Sequence, residues 1–361
     1  MTIEEMHLED WALPPEQIAL NNLLLDAALN LESLEFKRLI KVEKADIWYQ
    51  DPTTGKGPLH LAVEGSSTGE NGVEKGKQLA EWILMNGGIW NALDRNSETP
   101  ACLARRLGCM EIYEVMISAG VRTEMLLNLL GRKETEDKDA KNNSKYLSSE
   151  LKFTKSVNGS ETLLDSENSE VMMSWETEIM RQTAEVLLPR KGLSVLNIGF
   201  GLGIVDGFFQ EKKPRKHVIV EAHPDVLHEM RSRGWYEKEG VQIIEGRWQD
   251  FCEDLPVEAF DAVYYDCFAE SYADLRLFFD SAVGLLDQNG IFSFFHGLGA
   301  DFQTFYDVYT RLAELDLSCE FGFEVEYKDI PVDFSEEERK GVQRKYFKVD
   351  VYKLPICKLK Q

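Results

Sequence analysis

The 361-residue chain is short of basic residues: 40 lysines and arginines face 63 aspartates and glutamates, a formal net charge of −23. Nucleic-acid binders carry basic surfaces, so this balance argues against a nucleic-acid partner. It favours a basic partner or none, because acidic surfaces steer cations; the alternative is simply a soluble acidic protein. Cysteine is also sparse. The six residues are Cys102, Cys109, Cys252, Cys267, Cys319 and Cys357; no two form a CxxC pair and no Cys/His cluster has zinc spacing. Neither a metal site nor a disulfide framework is expected, and the cysteines read as buried thiols in a reducing compartment. The opening MTIEEMHLED is acidic and lacks the apolar core of a secretory signal. No apolar run is long enough to span a bilayer. The expectation is a cytoplasmic and nuclear protein, a monomer or weak dimer, with no membrane or nucleic-acid partner.

What is present begins with a repeat. DIWYQDPTTGKGPLHLAVEG (46–65) matches GIWNALDRNSETPACLARRLG (88–108) at an offset of 42. The polar insert SSTGENGVEKG (66–76) accounts for the excess over the ankyrin period of about 33. GPLHLA is close to the ankyrin T-P-L-H-x-A signature, and TPACLA is a degenerate copy. His60 is therefore read as structural. Helical runs at 16–30 and 32–44 form a capping first repeat, and EIYEVMISAG (111–120) supplies the last helix. An all-α ankyrin-like domain over 1–130 follows, then a charged linker at 131–145 that cannot bury a core.

From 146 the pattern changes. Apolar, β-rich runs at 193–198, 217–220, 241–245, 260–265 and 291–295 are separated by helical stretches, which predicts a doubly wound parallel α/β sheet. A helix from 301 and two alternating runs, LSCEFGFEVEYKDI and QRKYFKVDVYKLP, predict an antiparallel pair closing one edge. That is the sheet of a class I, Rossmann-like methyltransferase, with the domain spanning 146–361.

Within it, VLNIGFGLGIVDGFFQ (195–210) places glycines at 199, 201 and 203 between a strand and a helix. The dinucleotide fingerprint is G-x-G-x-x-G. Here the third glycine comes one residue early, Ile204 stands at the fingerprint's last position, and no Lys-Ser/Thr follows as in a P-loop. The next strand ends in Glu221, 22 residues after Gly199, where an acid can accept both ribose hydroxyls of an adenosine. In IIEGRWQD, Trp248 is placed to lie near an adenine ring, with Gln249 or Asp250 at its edge. The strand ending YYDC puts Asp266 at the carboxyl end of the sheet, where open α/β folds bind ligands. An adenosine site without a phosphate cradle suggests S-adenosylmethionine. Upstream, SEVMMSWETEIMRQTAEVLL (169–188) reads as one helix with Met172, Glu176, Met180 and Leu187 on a stripe. Glu176 is then either a solvated acid at the stripe's edge or a buried carboxylate awaiting a cation.

VMMSWETEIM, LNIGFGLGIVDGFFQ, IVEAHPDV, EGRWQD and FDAVYYDCF, in this order, resemble guanidinoacetate methyltransferases. The likeness is closer to the fungal protein arginine δ-N-methyltransferase family, the type IV enzymes, which also join ankyrin-like repeats to the catalytic domain. The resemblance implies S-adenosylmethionine contacts at Met172, at the turn of Gly199, Phe200, Gly201, Leu202, Gly203, Ile204 and Val205, and at Glu221, Ala222 and His223. It adds Trp248, Gln249 and Asp266, with an aromatic, Tyr146 or Phe153, closing over the cofactor. It implies Glu176 and Asp266 as the pair holding a guanidino group, and an arginine of a basic, large-subunit ribosomal protein as substrate. The chain departs from the small-molecule enzymes at CFAESY after Asp266 and at HGLGAD after the fifth strand, both of which would touch the acceptor. The two-glutamate loop and Thr-His-Trp motif of the common ω-arginine enzymes are absent from the sequence.

A guanidinium is protonated at ordinary pH and its lone pairs are delocalised. Two carboxylates bind its fork and localise its positive charge away from the attacking nitrogen. Asp266, Glu176, His223 and His296 are the candidate proton acceptors, His223 reading more as part of a cofactor loop. The rival expectations are a small-molecule guanidino methyltransferase with an added interaction module, and a non-catalytic ankyrin scaffold.

Overall fold

The computed structural model describes residues 13–68, 71–130, 144–155, 161–252, 255–268, 271–334, 339 and 341–361. The chain divides into two compact units, Met1–Glu124 and Met125–Gln361. The described part of the first is helical: α1 (Pro15–Leu29), α2 (Ser33–Arg38) with a π-helical turn (Leu39–Glu43), α3 (Pro58–Ser66), α4 (Gly72–Met85), α5 (Pro100–Arg106) and α6 (Met110–Leu130), whose end crosses into the second unit.

The two matched sequence stretches start their helices alike. Pro58 and Pro100 open α3 and α5, where a missing N–H costs nothing. His60 is buried; its Nδ1 accepts from Gly57 N at 3.3 Å and its Nε2 donates to Glu98 O at 3.0 Å, tying one repeat's turn to the next. The expected polar insert ends early, because α4 already begins at Gly72. A Cβ on Gly76 would fall 1.6 Å from Ser66 Oγ, so α4 passes close over the end of α3. Of the expected linker, 131–143 lie outside the described residues, and 144–147 are helical.

The second unit holds two sheets. Short strands β1 (Lys152–Lys155), β2 (Glu161–Leu164) and β3 (Glu170–Met173) form an antiparallel sheet that the sequence patterns do not announce. It corrects the reading of 169–188 as one helix. Residues 170–173 pair with β2, Met172 opposite Leu163 and Met173 opposite Thr162. A 3₁₀ turn (Ser174–Glu176) follows, and the helix, α7, spans only Thr177–Leu187. The four-residue spacing of Met172, Glu176 and Met180 thus joins three different elements.

The main sheet has the order β6-β5-β4-β7-β8-β10-β9. Strands β4 (Ser194–Ile198), β5 (Lys216–Glu221), β6 (Val241–Glu245), β7 (Phe260–Tyr265) and β8 (Leu286–Phe294) are parallel. Every residue of β4 is buried, as expected of a central strand covered on both faces. Helices α8 (Ile204–Glu211), α9 (Pro224–Ser232), α10 (Trp248–Phe251) and α11 (Tyr272–Leu285) connect them. After α12 (Gln303–Cys319), β9 (Phe323–Pro331) and β10 (Val351–Leu359) pair antiparallel, with Tyr352 opposite Ile330 and β10 inserted beside β8. Residues 317–319 belong to α12 rather than to the strand, and 343–350 precede β10. This is the mixed sheet of a Rossmann-like methyltransferase. All six cysteines are free. Cys109, Cys252 and Cys357 are buried, Cys102 and Cys267 partly so, but Cys319 ends α12 in solvent, against the expectation that all are buried. Among the described residues no helix is long and apolar enough to cross a membrane.

Candidate active site

The carboxyl ends of β4, β5, β6 and β7 meet at one cleft. The turn after β4 sets its floor. Gly199, Gly201 and Gly203 all take the left-handed conformation, with φ of +92°, +56° and +72°. Each also makes room for a protein group. A Cβ would meet Asp266 O at 2.1 Å from Gly199, Met172 Sδ at 2.9 Å from Gly201, and the Phe200 ring at 2.3 Å from Gly203. Gly199, Phe200 and Gly201 line the cleft.

Leu202, Gly203, Ile204 and Val205 do not line it, although the resemblance implied cofactor contacts there. The Leu202 amide donates to Met172 Sδ at 3.2 Å, Gly203 caps α8, and Ile204 and Val205 form its first turn, Val205 buried in the core. Met172 lines the cleft, with its thioether held against the turn.

Glu221 closes the β5 end. Its Oε2 accepts from Phe200 N at 2.8 Å, and its Oε1 from Ala222 N at 2.8 Å and His223 N at 2.7 Å. The same acid that faces the cleft therefore also folds the glycine turn against the next strand. Burial pushes its carboxyl up, and the amides pull the other way. His223 stands behind: its Nδ1 accepts from Asp225 N and its Nε2 bonds Tyr146 O at 3.1 Å. Tyr146 lines the cleft, its ring 5.0 Å from His223 and 4.9 Å from Phe268. The alternative aromatic, Phe153, packs against the core on β1 instead. Trp248 and Gln249 line the cleft after β6, whereas Asp250 is exposed and off it. Trp248 is wedged edge-on against Tyr265 and Phe278.

A second, wider cavity shares Tyr146, Val171, Asp266, Cys267 and Phe268 with the first. Both candidate acids reach it. Glu176 is 1% exposed, which excludes the solvated reading. Its Oε1 accepts from Met173 N and from Tyr346 Oη, each at 2.6 Å. Burial, then the charge of Asp266, holds its carboxyl well above the usual range. Asp266 follows β7, partly open to the cavities, its amide donating to Ile198 O at 2.8 Å. Burial, then Asp206 and Glu221, pushes it up to about 7. Among the described residues neither acid sits in an ion pair, so two carboxyl groups share a cavity without a salt-bridge partner, although Lys145 and Arg344 also line it. That is a poor arrangement for stability and a good one for binding a planar cation.

His296 is not on this cavity. It is buried on Tyr306 at 4.5 Å, with Nε2 2.7 Å from Thr310 Oγ1, and burial lowers it to about 3. Sequence reasoning missed Tyr346 and Arg339, far along the chain and without a motif, and Gly246–Arg247, which line the cleft.

The cleft suits an adenosylated sulfonium. It has an acid at the ribose position, an aromatic and an amide where a purine would lie, a thioether and glycine backbone along one wall, and no lysine cradle for phosphate among its lining residues. S-adenosylmethionine would be held by Glu221, Trp248, Gln249, Tyr146, Met172 and the Gly199–Gly201 backbone.

Residues 144–317 match the guanidinoacetate N-methyltransferase family model. A protein arginine N-methyltransferase 2 of Aspergillus oryzae is 44% identical over 371 residues, covering 86% of this chain and 88% of its own. Its Yarrowia lipolytica counterpart is 43% identical over 407 residues, covering 84% of each chain. A solved precorrin-6y C5,15-methyltransferase of Geobacter metallireducens is similar at a TM-score of 0.38 and 18% identity, over 51% of this chain and 87% of that one. On the identity and coverage of its relatives, the chain belongs to the protein arginine N-methyltransferase 2 family and is a methyltransferase.

Proposed function

We propose that the protein transfers a methyl group from S-adenosylmethionine to the δ-nitrogen of an arginine in a basic protein, one of the large ribosomal subunit. The observation that carries this reading is the pair Glu176 and Asp266 on one cavity, neither in an ion pair among the described residues, beside the cleft lined by Glu221, Trp248 and Gln249.

When bound, S-adenosylmethionine supplies a methyl group already activated on a positively charged sulfur. The chain supplies the rest. Glu221 takes a ribose hydroxyl on Oε2, and Trp248 and Gln249 flank the purine. Glu176 and Asp266 take the guanidinium, fix which nitrogen faces the cleft, and draw positive charge away from it. One proton leaves the methylated nitrogen. Asp266, held at about 7, is balanced to accept it near neutral pH. The helical unit binds an extended stretch of the substrate chain, and the net charge of −23 suits a basic partner. The enzyme acts in the cytoplasm and nucleus, as a monomer or weak dimer, without metal, membrane or nucleic acid.

The test is incubation with labelled cofactor and a cell extract, then fragmentation mass spectrometry of the labelled protein. It returns target, residue and nitrogen together; label confined to ω-nitrogens or to no arginine overturns the proposal. A second reading, a small-molecule guanidino methyltransferase, is favoured by the family-model match. Turnover of guanidinoacetate with none on any arginine protein would select it.

A further inference from the structure

The described residues between β9 and β10 carry no strand, yet they are fastened at several points. Arg339 Nε lies 2.9 Å from Glu170 Oε1, and Nη2 donates to Phe347 O at 2.9 Å and to Glu170 Oε2 at 3.3 Å. The guanidinium lies 3.9 Å from the Phe334 ring centre and 5.2 Å from that of Trp175. Gln343 N donates to Asn168 O at 3.0 Å, Glu170 N to Arg344 O at 3.1 Å, and Tyr346 N to Glu170 Oε2 at 3.2 Å. The segment is thus pinned to β3 and to the 3₁₀ turn that carries Glu176.

The pinning delivers one group. Tyr346 Oη donates to Glu176 Oε1, the oxygen that already accepts from Met173 N. A carboxylate oxygen has two lone pairs. Two donors at 2.6 Å fill both, and Oε2 accepts no hydrogen bond among the described residues.

We infer that Tyr346, held by the Arg339–Glu170 pin, is a positioning residue for the acceptor site: with the Met173 amide it occupies Oε1, so that Glu176 meets the acceptor through Oε2 alone. This deepens the guanidino reading and rests on it. Glu176 then meets the guanidinium through one oxygen rather than gripping its fork with two, and any two-oxygen grip falls to Asp266. The acceptor's rotation in its own plane is set by that asymmetry, which is what selects one nitrogen over its neighbours. The two donors also offset the cost of burying Glu176 without a cation.

Tyr346→Phe removes the donor and keeps the ring. The assay uses the full-length protein, labelled S-adenosylmethionine and acid-extracted large-subunit ribosomal proteins. The expected result is a fall in kcat of about tenfold or more, with S-adenosylhomocysteine affinity unchanged. The acid limb of the rate profile moves to higher pH, since a donor that favours ionised Glu176 has gone. The groups whose charge or hydroxyl bears on Glu176 are Asp266, Glu170, Arg339, Tyr264, Tyr352 and Tyr346 itself. In a Glu176→Gln background the further loss from Tyr346→Phe is less than twofold, because the tyrosine acts through that carboxylate. Equal losses in both backgrounds, or an unmoved acid limb, overturn the inference. If the wild-type protein methylates no arginine, it is the function reading that fails. The tyrosine's hold on Glu176 is then read without substrate, by infrared difference titration of the Glu176 carboxyl against Glu176→Gln. Titration at higher pH in Tyr346→Phe sustains the hold, and an unmoved titration refutes it.

Discussion

Asp266→Asn is expected to cut turnover and to stabilise the ligand-free protein. The folded protein raises Asp266 from the ordinary 3.8 to about 7, burial being the main cause. A raised carboxyl means that the folded state prefers the proton. Below about pH 4, Asp266 is protonated folded or unfolded and costs nothing. Between about 4 and 7 the unfolded chain ionises while the folded one does not, so stability falls as pH rises; above about 7 the loss is complete. Each factor of ten in proton affinity is worth about 1.4 kcal/mol, so the ceiling is about 4 kcal/mol. Asp266 keeps part of its surface on the open cavity, where water screens it, and about half that ceiling is expected. Asparagine imitates the neutral form at every pH. Urea unfolding should therefore find Asp266→Asn equal to wild type at pH 4 and about 2 kcal/mol more stable at pH 8, while methyl transfer drops by about 10²-fold or more. A variant that is no more stable at pH 8 than at pH 4, relative to wild type, refutes the electrostatic account. A loss of turnover below tenfold removes Asp266 from the chemistry.

Three further outcomes follow from the same geometry. Glu221→Ala leaves the amides of Phe200, Ala222 and His223 without their acceptor and removes the ribose ligand, so S-adenosylhomocysteine affinity by calorimetry should fall by about tenfold or more; unchanged affinity contradicts the assignment. Gly201→Ala puts a Cβ 2.9 Å from Met172 Sδ at a φ of +56°, a strain of about 1–2 kcal/mol that should weaken cofactor binding, whereas Gly207→Ala, with open space around it, should not; equal effects would sink the steric reading. His60→Ala strips partners from Gly57 N and Glu98 O and should cost the helical unit about 1–3 kcal/mol in urea unfolding, and a change within error would show that the histidine is not a tie between turns.

The parallel strands were legible because each contains an apolar run, and β4, buried throughout, had little freedom to be anything else; β8 nevertheless starts at Leu286 and takes in the polar DQNG ahead of the expected run at 291–295. The β1–β3 sheet was not. Its strands are four residues long, too short to show a period, and β3 is buried at all four positions, so EVMM reads equally well as the start of the amphipathic helix that follows. The 42-residue offset between the two matched stretches was visible because Pro58 and Pro100 mark helix starts by a backbone rule that survives loss of the surrounding signature.

The site divides along the same line. Glu221 and Asp266 were readable because a strand's carboxyl end fixes where its last residue lies, whatever the rest of the fold does. Glu176 was a sound candidate on an unsound helix: what buries it is the 3₁₀ turn after β3 and the segment before β10, whose Tyr346 is 170 residues away in sequence. His296 failed because position at a sheet edge does not set direction. Its ring turns inward onto Tyr306 and Thr310, since an imidazole held neutral by burial can satisfy its donor in the core. The acids have no such exit. Glu170 has Arg339, but Glu176 and Glu221 are held by hydroxyls and amides, and none of Glu176, Glu221 and Asp266 sits in an ion pair among the described residues. A fold that keeps three carboxyl groups around two adjoining cavities gives up stability in the empty state. That sacrifice has a physical use where both the methyl donor and its acceptor arrive positively charged, because each then finds its counter-charge already in place.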